Sequence, residues 1–592
     1  MRIGLFSSEA PFLEREGRGL LLLVALWLAV ASVLPLAMLV RTAMGGTEAG
    51  LADLMAEWRR PSVRRAIGNS LASSFGAMAV SLLLGGVAAM VLVTTRTRGR
   101  RLFAFLFTLS MLIAPHVAAL AFKTLVGPAS PVLQAFGLAP PPGSPNPLLS
   151  FTGIVIVLGL HHAPVVMLTL LAGMRTIPHE LIEAAQVDGA HPLRIIRDIL
   201  MPLLAGHWLA AGMLAFVAAF GNFGIPALLG LPVNILTLPT LIYRQLSSFG
   251  PNVLPDVAGL SVLTMLVGGA SIVLAVLLLG RRGTALEPDR QLKAFWSPGW
   301  PGRAIIYTSG MILLLVALVL PVLSLLAASL VPSYGVPLTL ETATGRAYAE
   351  VLFRQASTRE ALRTSIGLSG MAAAILAMLA IPLAFAIHRF AGSSRALFML
   401  LIELPYALPG IVIAIAAILL FLHPLPLLGF SLYATPWIIL VAYLVRFLPL
   451  AVKPALASMG TIAPAMEEAG ALCGARMMRR LVTLILPTLL PALCAGGLTV
   501  FLMAFSELTV SALLWSAGSR TLGVVVYGLE EAGLTTEASA MGIVTIGIVG
   551  LVMLVIDRMS GLLPPGSVPW NVAEDECSVG NRLSRDRQAR AP

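Results

Sequence analysis

His179-Glu180-x-x-Glu183 stops one residue short of H-E-x-x-H, in which two histidines one helical turn apart hold zinc and the glutamate acts as general base. With Glu183 where the second histidine must stand, metal-assisted hydrolysis is set aside. Nucleotide chemistry fails on a simpler ground: the three lysines, Lys123, Lys293 and Lys453, are never preceded by glycine, so the chain has no G-x4-G-K-[ST] phosphate loop. Cys473, Cys494 and Cys577 are too scattered for a CxxC metal site or a disulfide framework. His161 and His162 are adjacent, and neighbouring positions on a helix point about 100° apart, which argues against a shared metal. We therefore expect no catalytic residue, no metal and no cofactor in this chain.

A repeated loop stands where a catalytic constellation would. Glu183-Ala184-Ala185-x3-Gly189-x9-Ile199-x-Met201-Pro202 returns as Glu468-Ala469-Gly470-x3-Gly474-x9-Leu484-x-Leu486-Pro487, at a constant offset of 285. Pro178 and Pro464 suit helix starts, the small residues at 184–185 and 469–470 admit a close neighbour, and Gly189 and Gly474 permit a sharp turn. A second amphipathic stretch follows, with Ile195, Ile199 and Leu200 apolar and Arg194, Arg197 and Asp198 charged. The pattern predicts helix, turn, helix lying across one face of a membrane. An amphipathic helix resting on headgroups is the alternative, but a lipid anchor does not need Glu, Gly and Pro in one register twice.

The elements that position these loops are membrane spans. With 58% hydrophobic and 11% charged residues, the chain has too little polar surface for a water-facing fold. Apolar runs predict spans near 19–41, 68–94, 102–123, 151–173, 204–228 and 257–280, then 304–331, 364–388, 396–422, 436–457, 489–514 and 534–557. The apolar run Leu20–Val40 exceeds the 7–15 residues of a signal peptide and reads as a retained helix. The expected fold is all-α, a polytopic membrane protein of about 12 transmembrane helices in two pseudo-symmetric six-helix halves. Its segments are a cytoplasmic N-terminus 1–18, a first domain 19–280 with its loop at 178–202, a linker 281–303, a second domain 304–557 with its loop at 463–487, and a disordered cytoplasmic tail 558–592.

Residues 158–230 align without a gap on 443–515 with 21 of 73 positions identical, and earlier segments align at an offset near 294, as Pro115 with Pro409 and Ala66-x3-Ser70 with Ala361-x3-Ser365. Two six-span halves entering from the same side form a parallel repeat about an axis along the membrane normal. With the N-terminus cytoplasmic, inside segments hold 27 of the 39 Lys and Arg, which satisfies the positive-inside rule and places both loops in the cytoplasm. The loop 41–65, with five Arg, is the exception. The net charge of +11 is thus an orientation signal, and no basic stripe interleaved with aromatics indicates a nucleic acid partner.

The doubled loop resembles the EAA loop, Glu-Ala-Ala-x3-Gly-x9-Ile-x-Leu-Pro, of permease subunits of binding-protein-dependent ABC importers. The first copy departs at Met201, the second at Gly470 and Leu484. Both membrane domains in one chain, together with Leu404-Pro405-Tyr406-Ala407-Leu408-Pro409-Gly410, look most like the ferric-iron permeases. The resemblance implies a bacterial inner-membrane permease, not an enzyme, whose loops dock on two copies of an ABC ATPase that binds the ATP and Mg. Glu183, Ala184, Ala185, Gly189, Pro202, Glu468, Ala469, Gly470, Gly474 and Pro487 are then coupling residues. It also implies a separate substrate-binding protein outside. Ferric iron is the first-choice cargo, with thiamine, 2-aminoethylphosphonate, polyamine or an oxyanion open. A secondary transporter is the alternative of another class, because Arg96-Thr97-Arg98-Gly99-Arg100-Arg101 resembles the D-R-x-G-R-R of the major facilitator superfamily. The acidic partner is missing there, and a basic cytoplasmic loop explains the arginines.

Polar groups inside spans are the last signal, since a charge at mid-bilayer costs at least about 2.5 kcal/mol on insertion scales. His161 and its repeat mate Arg446 lie in span four of each half, and Asn222 and its mate Glu507 in span five. Arg446 is expected to pair with Glu507, Glu403 being the other candidate, and these five residues either line a translocation path or hold helices together.

Overall fold

A computed structural model describes residues 32–44, 50–95, 98–250, 252–279, 294–389, 392–424, 429–475 and 477–559. The N-terminal segment, most of the first expected span, Arg96 and Thr97, most of the linker and the tail from 560 lie outside the described residues. Among the described residues the structure is helical, and its one extended pairing is an isolated bridge between Thr95 and Trp296. Among the described residues nine helices are long and apolar enough to cross a membrane, or up to 12 if each sharply bent pair is one span.

Each half is built on the same triad. Pro61–Thr94, Phe151–Met174 and Ala205–Phe220 pack together in the first half, and Ala356–Arg389, Leu448–Met459 and Leu486–Phe505 in the second. Small side chains permit this. Ser70, Ser73, Ser74, Ala77, Ser81, Ala88 and Ala89 are buried along Pro61–Thr94, so van der Waals contact and interhelical hydrogen bonds replace the hydrophobic drive that lipid removes. Gly85 brings the backbones closest: a Cβ there would lie 2.1 Å from the Ala163 carbonyl oxygen. Ser81 Oγ donates to the Gly159 carbonyl oxygen at 2.8 Å across the same interface.

Several expected straight spans are broken, and proline chemistry explains most of the breaks. Arg395–Ala407 and Gly410–Phe421 meet at 99°, where Pro409 has no N–H to donate and disfavours helical backbone at Leu408. Its repeat mate Pro115 opens Pro115–Val126 after Ala114, whose backbone is extended at φ −54° and ψ 135°. The expected spans 204–228 and 489–514 end early, at Phe220 and Phe505, and continue as the short helices Gly224–Gly230 and Ser511–Leu514. Pro202, Pro321 and Pro487 each follow a π-helical turn, at 196–200, 315–319 and 481–485. A proline cannot bond the carbonyl four residues back and crowds it, so the turn before it widens.

The halves also exchange their first helices. Leu34–Ala43 packs on Val253–Leu279 of its own half and on Gly410–Phe421 of the other, and Leu320–Ser329 packs on Thr535–Met559 and on Pro115–Val126 of the first half. At the end away from the doubled loops, Leu238–Leu246 and Leu522–Glu531 lie as matched short helices. Leu238 N donates to Ser70 Oγ and Leu522 N to Ser365 Oγ, both at 2.7 Å. Tyr243 and Tyr527, five residues into these helices, meet edge to face at 6.1 Å between the halves.

Candidate functional site

The doubled loop folds as its spacing predicts. In the first copy the helix His179–Val187 starts after Pro178, turns at Gly189 (φ +76°) and resumes at Pro192–Ile195. In the second copy the helix Pro464–Leu472 turns at Gly474 (φ +74°) and resumes at Met477–Arg480. Both glycines hold the left-handed conformation that L side chains resist. The amides of Asp188, Gly189 and Ala190 close on the carbonyls of Ala184, Gln186 and Ala185, satisfying the helix end. Ile182, Ile195 and Leu200 point inward and are buried, whereas Glu183, Ala184, Glu468 and Ala469 are exposed. Glu183 Oε1 lies 3.6 Å from His179 Nε2 and is otherwise open to solvent. Arg194, Arg197 and Asp198 form an exposed cluster at 3.4 and 3.8 Å on the next stretch.

Two features escaped the sequence reading. Val187 and Leu472, repeat mates at the ends of the two helices, stand 87% and 90% exposed. A large apolar side chain thus stands at the same exposed position of both loops. Its signal was present in the sequence as an apolar residue four after each motif glutamate, inside a stretch treated as variable. The second feature is that the departures at Gly470 and Leu484 compensate each other. A Cβ at 470 would lie 2.9 Å from Leu484 Cδ1, so Leu in place of Ile199 goes with Gly in place of Ala185. The first loop also has a neighbour of its own: Gln186 Nε2 donates to the Phe295 carbonyl oxygen at 3.4 Å, and Trp296 N to that of Thr94 at 2.8 Å.

The expected intramembrane polar residues find partners close to them in the chain or within their own half. Asn222 Oδ1 accepts from Ile225 N at 3.1 Å, and Glu507 Oε1 from Val510 N at 3.0 Å. These mates thus do one job, capping the short helix after each break. The other Glu507 oxygen, Oε2, lies 3.9 Å from Arg446 Nε, an ion pair with no hydrogen bond. Glu403 is committed elsewhere, to Lys453 at 2.6 Å. Tyr406 stands in the field of Arg446, Glu403 and Glu507 together. Arg446 fits because its neighbour is Gly410, where a Cβ would lie 2.2 Å from Nη1. The first half reverses this: position 116, the mate of 410, is a buried histidine, and His161 replaces the arginine. His161 is buried edge-on against His162 at 5.0 Å, and no group of three or more His, Cys, Asp or Glu among the described residues could hold a metal.

Contacts between the halves surround this cluster. Gly221 approaches Pro409 at 3.5 Å from a built Cβ, and its repeat mate Ser506 donates through Oγ to the Leu112 carbonyl oxygen at 3.3 Å. Lys123 Nζ meets Glu530 Oε1 at 2.5 Å, Glu530 being nearly fully buried. The arrangement is a seam between two helical bodies, each with an exposed loop at one end.

The chain matches the family described as "Binding-protein-dependent transport system inner membrane component" twice, over residues 81–291 and 377–567. It is 25% identical over 540 residues to a probable ABC transporter permease of Sinorhizobium fredii, covering 86% of this chain and 90% of that one. A putative 2-aminoethylphosphonate transport system permease of Salmonella typhi is 30% identical over 243 residues, covering 40% of this chain and 83% of that one. The ferric transport system permease of Actinobacillus pleuropneumoniae is 24% identical over 512 residues, 84% of this chain and 71% of that protein.

Proposed function

Because the chain belongs to the binding-protein-dependent transport system inner membrane component family, we propose that its two loops are cytoplasmic handles gripped by two copies of an ATPase. Their closure would swing the paired halves between outward and inward openings. The observation that carries this is the matched exposure of Val187 and Leu472 beside Glu183, Ala184, Glu468 and Ala469. Two identical partners need two equivalent apolar knobs, and the repeat supplies them at one register. ATP and Mg belong to that partner, since the chain has no phosphate loop of its own. The loops then face the cytoplasm, with both termini on that side, and the opposite face receives a substrate-binding protein.

Ferric iron is the cargo we propose first. The ferric permease relative aligns along 84% of this chain and, like it, is long enough to hold both halves. A 2-aminoethylphosphonate cargo is the second reading, favoured by the higher identity of the half-length relative. Glu403, Arg446 and Glu507, with His161 and Asn222 opposite, would line the path at the seam.

The test is reconstitution of the full chain with its ATPase and binding protein in proteoliposomes, reading ATP-dependent uptake of radioactive iron(III). Val187→Asp with Leu472→Asp should abolish co-purification of the ATPase while the permease stays in the membrane. Normal co-purification would remove the docking assignment, and unchanged uptake by both Arg446→Ala and Glu507→Ala would remove the path assignment.

A further inference from the structure

The charged residues around Arg446 belong to the second half. Glu403, Tyr406, Arg446, Lys453 and Glu507 of the second half have as repeat mates Leu109, Leu112, His161, Leu168 and Asn222. A symmetric gate needs no such difference, and each charge held in a membrane interior is costly. The capping duty of Glu507 does not explain it, because Asn222 caps the equivalent helix without a charge.

Hydrogen-bonding capacity in this wall is left unspent. Glu403 is occupied by Lys453 at 2.6 Å. Glu507 Oε1 is occupied by Val510 N, and Oε2 lies beyond hydrogen-bond reach of Arg446 at 3.9 Å. Arg446 Nε and Nη1 have no hydrogen-bond partner, although the side chain is only 16% exposed. A guanidinium offers five N–H donors in a planar fork that matches the oxygens of a carboxylate, phosphonate or phosphate. The missing Cβ of Gly410 keeps the fork's place clear, and adjacent Pro409 touches Gly221 of the other half. Parting of the halves at that contact would bring the fork to the path.

We infer that the second half alone carries an oxyanion-binding station, with the Arg446 guanidinium as its ligand, so that the cargo passes as a small oxyanion. This rests on the importer reading above and, of its two cargo readings, replaces ferric iron with the phosphonate. Glu507 is the resting counter-charge that an incoming oxyanion displaces.

The full chain in lipid nanodiscs tests this without ATPase or binding protein. 2-Aminoethylphosphonate, orthophosphate and ethanolamine are titrated against the thermal midpoint. Both oxyanions should raise the midpoint saturably and ethanolamine should not. Half-saturation tenfold lower for 2-aminoethylphosphonate than for orthophosphate assigns the phosphonate; equal values assign the oxyanion alone. Arg446→Gln should raise the half-saturating concentration at least tenfold, and Arg446→Lys should fall between it and the wild type. Glu507→Gln keeps the cap through its amide oxygen and removes the competing charge, so it should tighten binding at least threefold, which a merely structural ion pair would not do. No oxyanion effect, an equal effect of ethanolamine, or unchanged affinity in Arg446→Gln overturns the inference. Oxyanion binding with no ATP-driven uptake in the reconstituted system would instead sink the importer reading, and uptake without oxyanion binding would sink this inference alone.

Discussion

Substitutions at Gly189 and Gly474 separate backbone strain from docking. Both residues sit at positive φ, +76° and +74°, and a Cβ built on either meets nothing within 4 Å. A side chain there has space and pays only the left-handed conformation, about 1–2 kcal/mol. That is a factor of about 5–30 in a local equilibrium, borne by a surface turn whose helices stay anchored through buried Ile182, Ile195 and Leu200. Alanine and arginine carry nearly the same strain, and asparagine carries less. If the turn faces an ATPase, arginine must also clash in a desolvated contact, a loss of at least about 2–4 kcal/mol, or roughly 30- to 1,000-fold in docking affinity. The assay is ATPase co-purification and ATP-driven uptake for Ala, Asn and Arg at each site. Asn should be nearly normal, Ala mildly weakened, and Arg uncoupled with the permease still in the membrane. Equal loss in Ala and Arg would mean that backbone strain, not docking, is the cause. Normal uptake by the double arginine variant would refute docking altogether.

Glu57, on the short helix Gly50–Arg59 outside the spans, has its carboxyl pushed from 4.5 up to about 7, first by burial and then by Asp256, with Arg60 opposing. The folded state therefore holds a proton that the unfolded state releases near pH 4.5, and stability is greatest below that pH and falls as pH rises toward 7. Glu57→Gln should flatten this slope in thermal unfolding between pH 5 and 8, and an unchanged slope would refute it. Ser70→Ala and Ser365→Ala each strand a buried backbone amide, of Leu238 and Leu522, and should each cost about 1–3 kcal/mol, read as a lowered thermal midpoint. Equal costs would show that the two halves use the bond alike. Lys123→Met alone leaves buried Glu530 without its ion partner and should cost about 3–5 kcal/mol, whereas Lys123→Met with Glu530→Leu should recover most of it. A double variant no better than the single one would mean that the pair contributes through packing rather than charge.

The periodic and positional signals survived folding because they are local. Glu, Gly and Pro at fixed spacing specify helix, left-handed turn and helix wherever the loop is placed, so the local fold of both loops was legible. The number of spans follows likewise from apolar length. Breaks within the spans were half legible: Pro409 and Pro115 announce theirs, but the breaks after Phe220 and Phe505 come from Asn222 and Glu507 capping the next helix, a bond that spacing alone did not reveal.

What tertiary structure decided is which surfaces meet. The exchange of first helices between the halves depends on helix faces that are apolar all round, and hydropathy cannot choose among such faces in lipid. The partner of Arg446 was ambiguous between Glu403 and Glu507 because both lie within reach along the sequence repeat. Lys453, one helix further along, settles it by taking Glu403 at 2.6 Å. Glu507 then stands at 3.9 Å with its cap already made, and the guanidinium is left short of acceptors. Residue types gave the charges, but only three-dimensional distances tell which donors are spent and which remain free.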